Sequence, residues 1–109
     1  MITYDWNCKT VDVMPAKDGF NNVIFQVHWI VTGISDDAEP ITATVYGVES
    51  LDTDNITNFI SFENITNEQV ATWVIDKMGD YRVSKIEENI NKQINEIKNP
   101  SSITMTIAN

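Results

Sequence analysis

His28 and Cys8 occur once each in this chain, and any acid–base or nucleophilic chemistry would have to start from them. A general base needs a proton within hydrogen-bond reach and a group that orients it. His28 stands between Val27 and Trp29 in an apolar stretch, which reads as a structural, half-exposed histidine. A lone cysteine excludes an intrachain disulfide and a cysteine-based zinc site, so Cys8 reads as a small apolar strand residue. The acids at Asp52 and Asp54 stand where the first two EF-hand ligands would, with Glu63 at the twelfth position. Ile56 replaces an oxygen ligand there and Thr57 replaces the turn glycine, so solvated turn acids explain the run better. The triplets Asn55-Ile56-Thr57 and Asn64-Ile65-Thr66 match the glycosylation pattern, but Thr66 has a helix cap to make. The four glycines are scattered, with no nucleophile elbow, phosphate loop or HExxH helix. Trp6, Trp29 and Trp73 read as anchors of one core. The expectation is a protein that is not an enzyme and uses no cofactor or metal.

Charge narrows the partners. The formal charge is −9, and residues 1–63 carry ten acids against Lys9 and Lys17. Nucleic-acid affinity comes largely from Lys and Arg releasing phosphate counterions, and this chain has one arginine, Arg82. Neither nucleic acid nor an anionic membrane is an expected partner. Asp5, Asn7 and Lys9 interrupt any apolar run near Met1, and no stretch approaches membrane-span length, so synthesis in a cytoplasm is expected.

The side chains just named must be held by elements that alternate first with period two and then with a helical period. Over residues 4–13, Tyr4, Trp6 and Cys8 share a face and the apolar set then shifts to Val11 and Val13, so a bulge is expected near Lys9 and Thr10. Pro15 and then Asp18-Gly19 close this strand with a turn. Residues 23–32 form a second strand with Val23, Phe25, Val27, Trp29 and Val31 on one side. A polar loop leads to a third strand over residues 41–48, and residues 59–62 suggest a short fourth piece. The strands form an antiparallel meander.

The period changes at Ile65. Thr66 and Gln69 form a capping box, Ile65 and Val70 a hydrophobic staple, and Val70, Trp73, Val74 and Met78 one helix face that Gly79 ends. A second helix ends before Pro100, with Val83, Ile86, Ile90, Ile94 and Ile97 in a narrow stripe. That stripe suits either the sheet or a seam with a copy of the chain, so Ile90, Ile94 and Ile97 are candidate interface residues. In the tail, Ile103, Met105 and Ile107 alternate with Thr104 and Thr106 and are the other candidates. The fold class is α+β: a small antiparallel sheet of three to four strands, then two helices, then an extended C-terminal segment. Residues 1–100 form one domain, and residues 101–109 form an arm that pairs with a strand edge in its own sheet or in a neighbouring subunit.

Tyr4-x-Trp6, Val27-His28-Trp29, Thr44-Val45-Tyr46-Gly47, the capped segment from Ile65 through Trp73-Val74, and the glutamate-rich isoleucine helix ending in Asn99-Pro100 follow one another in this order. In that order the chain resembles a family of short tailed-bacteriophage proteins along most of its length. It departs from them in the tail, where similar proteins often finish in a proline-rich stretch with a terminal tryptophan. The resemblance implies a phage setting and no mechanism, and no catalytic residue carries over. With the composition, it suggests a virion structural accessory, foremost a capsid decoration or cement protein on the exterior, because packaged DNA inside would repel a charge of −9. The alternatives are a tail or tail-fibre assembly chaperone and a small acidic inhibitor of a host protein. Expected partners are a phage capsid or tail protein and copies of the chain itself.

The capping box yields a stability expectation. Thr66→Ala removes the acceptor for one helix amide and is expected to cost about 1 kcal/mol in urea unfolding, with the m-value unchanged.

Overall fold

The computed structural model of the protein describes residues 1–53 and 59–108. Its sheet has three antiparallel strands in the order β1-β2-β3: β1 (Ile2–Lys17), β2 (Phe20–Ser35) and β3 (Thr42–Ser50). A 3-10 turn, Phe62–Asn64, leads to helices α1 (Asn67–Met78) and α2 (Asp80–Lys98). The α+β meander followed by two helices is therefore the fold, with three strands. Residues 59–61 have no regular structure, and Phe59 instead stacks on Phe20 with ring centroids 4.5 Å apart.

Asp18 and Gly19 join β1 to β2 with φ of 51° and 85°, the left-handed values that a two-residue type I′ hairpin requires. The strands run well beyond the alternating segments, and Pro15 lies inside β1 instead of ending it. An edge strand tolerates this because one side of its backbone has no ladder to complete. The expected bulge is present: Asn7 faces Ile30 and Thr10 faces His28, leaving Cys8 and Lys9 opposite Trp29 alone. A second bulge was not legible. Asp12 faces Gln26 and Val13 faces Ile24, so Phe25 is the extra residue on β2. The two insertions sit on opposite strands and cancel, restoring the register set by the turn. They also change the expected face of β2: Val27, Trp29 and Val31 join the core cluster together with Ile24, while Phe25 stays out of it and Val23 is buried outside it.

Both helices lie on one side of the sheet, α1 against β1 and α2 against β3 and β2. The capping box is formed, with Thr66 Oγ1 accepting from Gln69 N at 3.3 Å and Gln69 Oε1 accepting from Thr66 N at 2.9 Å. Gly79, at φ 83°, ends α1 and begins α2 in one step. Ile90 and Ile94 are 0% and 1% exposed and seat α2 on the sheet. Ile90 fits because β2 carries Gly33 beneath it, where a Cβ would collide with the Ile90 side chain. Gly47 plays the same part for Trp29, whose indole lies over it within 2.6 Å of where a Cβ would stand. Trp6 packs on Trp29 at 5.9 Å, and Trp73 packs against the same cluster. The cost of this seat is polar: Trp29 Nε1 is buried with no acceptor among the described residues.

Overpacking at the Gly33 seat is the most direct test of how α2 docks. Gly33→Ala is expected to destabilise the protein by about 1–3 kcal/mol, read as a lowered urea midpoint.

Candidate functional site: the open sheet face and the arm

The helices cover one face of the sheet and leave the other bare. Alternation assigns Gln26, His28, Ile30, Thr32 and Ile34 of β2 to the bare face, with Thr42, Thr44, Tyr46 and Val48 of β3 beside them. Ile30 pairs with Tyr46, His28 with Val48 and Ile34 with Thr42, so the exposed apolar residues Ile30, Tyr46 and Val48 form one strip across two strands, and Ile34 lies beyond the Thr32–Thr44 pair. Tyr46 is 79% exposed. A strip of this kind, rimmed by polar side chains, is the usual mark of a contact surface. Its signal was present in the sequence, because Trp29, Ile30 and Val31 are apolar in both phases of the strand, the pattern of a strand covered on two sides.

At one end of the strip lies the orienting carboxylate that the sequence could not place. Asp12 Oδ2 accepts from Gln26 Nε2 at 2.8 Å and stands 2.8 Å from His28 Nε2. The β1 register and its two bulges bring these residues together across the hairpin. Among the described residues, Asp12 is the one side chain that hydrogen-bonds the ring, so the pair lacks the hydroxyl or thiol that a nucleophilic triad needs. Cys8 belongs to the core under the helices, 1% exposed, and burial pushes its thiol up to about 11. Asp54 to Thr57 of the acidic run lie outside the described residues. Among the described residues no three His, Cys, Asp or Glu side chains gather as metal ligands would, and no helix is long and apolar enough to cross a membrane.

The six interface candidates separate into two groups. Ile90 and Ile94 are not open to a partner, because their stripe is spent on the protein's own sheet and they are buried. Ile97, Ile103, Met105 and Ile107 are exposed, Ile107 at 86%. The arm has no regular secondary structure over residues 102–108. It is tied at its root, where Ser101 N and Oγ both donate to Glu96 Oε1, at 2.8 and 2.7 Å, holding that carboxyl below its ordinary range.

The chain's one arginine, Arg82, is engaged within the fold. Its guanidinium donates twice to Glu49 on β3, Nη1 to Oε2 at 3.1 Å and Nη2 to Oε1 at 2.7 Å, and this pairing neutralises a buried carboxylate. Arg82 is thus a clamp between α2 and β3.

A three-stranded meander with two helices on one face defines a small α+β class of domain. Within that class the chain belongs to the family described as Domain of unknown function (DUF7936), whose model matches residues 1–106. No curated protein and no solved structure is significantly similar to it.

Because its thiol is buried and held largely protonated, Cys8 is expected to resist aromatic disulfide reagents at neutral pH in the folded protein and to react fully in denaturant. Rapid stoichiometric labelling of the native chain would mean that the β1 bulge opens far more readily than its packing implies.

Proposed function

We propose that this protein is a non-enzymatic accessory of a tailed-bacteriophage particle, most specifically a decoration protein held on the capsid exterior. The observation that carries the reading is the bare sheet face, where Ile30, Tyr46 and Val48 form an exposed apolar strip, with Ile34 beyond the Thr32–Thr44 pair, on a domain whose other face is already covered. Such a strip favours attachment to another protein. The charge of −9 disfavours a place among packaged DNA and suits an outer surface. The likeness to short tailed-phage proteins supplies the setting. His28 and Asp12 rim the strip, and their pairing presents a fixed polar edge to whatever docks there. On this reading the partner is a capsid protein, and the contact is a shape and apolar match with polar margins.

Quantitative mass spectrometry of purified particles tests the role. High copy number is expected, and absence from particles refutes it. Tyr46→Glu places a charge in the middle of the strip at an exposed position, so it is expected to leave the thermal midpoint of the free protein unchanged while reducing its incorporation into particles at least about tenfold, the equivalent of about 1.4 kcal/mol.

A further inference from the structure

The sheet has two edges, and they are finished in opposite ways. The outer edge of β1 is obstructed at several points. The Asn67 side chain docks on it, Oδ1 accepting from Cys8 N at 2.7 Å and Nδ2 donating to Trp6 O at 3.0 Å. The bulge at Cys8 and Lys9 then breaks its line, and Pro15 removes a donor further on. Each of these devices discourages strand addition. β3 has none of them. It pairs with β2 over nine residues without a register break, contains neither proline nor lysine, and its one charge, Glu49, is neutralised by Arg82. Among the described residues nothing hydrogen-bonds to the backbone along its outer edge.

The arm is the matching piece. Residues 101–108 alternate Ile103, Met105 and Ile107 with Thr104 and Thr106, carry no charged side chain, and are exposed throughout. Extended, eight residues cover about 26 Å, nearly the length of β3. α2 lies across β3 in the opposite sense, with Arg82 at Glu49 and Lys98 at Asp37, so the arm leaves the domain at the Thr42 end of β3. Residues 101–108 stay exposed along their length, and the molecule is 72 Å long by 30 and 25 Å.

We propose that the arm of one copy adds as a fourth strand to the free β3 edge of a second copy, with Ile103, Met105 and Ile107 beside Tyr46 and Val48 on the bare face. Two chains of charge −9 repel each other, and the arm and β3 are segments that meet without adding to that repulsion. The added strand extends the apolar strip and completes the backbone hydrogen bonds of an edge whose strand has no proline, lysine or bulge. The pairing is a property of the purified chain, so it can fail while the virion role stands, and the reverse.

Light scattering coupled to size exclusion reads it directly. The full chain is expected at a mass at least twice that of one copy at micromolar concentration, while a chain ending at Pro100 and the Thr104→Pro/Thr106→Pro variant are both expected to be monomers with an unchanged thermal midpoint. A monomeric full chain overturns the proposal. So does an oligomer that survives both changes, which would assign self-association to the bare face. For position, a Met105→Cys chain mixed with a Thr44→Cys chain, both residues lying on the bare face, is expected to give a disulfide-linked pair under oxidation. A Thr44→Cys/Met105→Cys double variant that closes within one chain at high dilution would place the arm on its own edge and overturn exchange.

Discussion

Ile90 resting on Gly33 is the contact around which the domain is arranged. A three-stranded sheet has too little surface to be stable unless one face is sealed, and α2 can approach closely only where the middle strand has no side chain. With α2 in that place, Ile94 follows one turn later, Arg82 reaches Glu49, and Tyr4 Oη donates to Asn91 Oδ1 at 2.6 Å, joining α2 to all three strands. α1, joined to α2 through Gly79, packs chiefly against β1.

Sealing one face leaves the other open, and the open side is where recognition features collect. Its apolar strip is framed by Asp12, Gln26 and His28, a polar group assembled by two bulges that cancel in register. Bulges turn a strand locally without changing its global pairing, which lets the hairpin keep its core face while re-aiming particular side chains. The protected β1 edge and the plain β3 edge give the same domain a direction along the sheet.

The acids are distributed with the same economy. Glu49, the buried one, is paired with the only arginine, while Asp36 and Asp37 in the β2–β3 loop are held below the ordinary carboxylate range by the Met1 amino group and by Lys98 respectively. Those two contacts bind the loop to the chain's beginning and to the end of α2, close to where the arm emerges. Both are exposed pairs, so they guide the loop more than they stabilise the fold.

What the sequence determined by itself was local. The Thr66–Gln69 box, the Asp18-Gly19 turn, the slip near Lys9 and the stop at Gly79 each depend on residues within a few positions of one another, and the backbone conformations they demand are written in residue type. An apolar stripe is different: it states that a face must be covered and does not say by what. Ile90 and Ile94 suited the protein's own sheet and a second copy equally, and only the gap at Gly33 decided for the sheet. Phe25 carried no local mark of a bulge, so the phase of β2 below Gln26 was settled by pairing with β1. The approach of Asp12 to His28 and of Asn67 to the β1 edge depends on segments 16 and about 60 residues apart, whose meeting is set by register and helix docking. Those are properties of the assembled fold, because no short stretch of chain contains both partners.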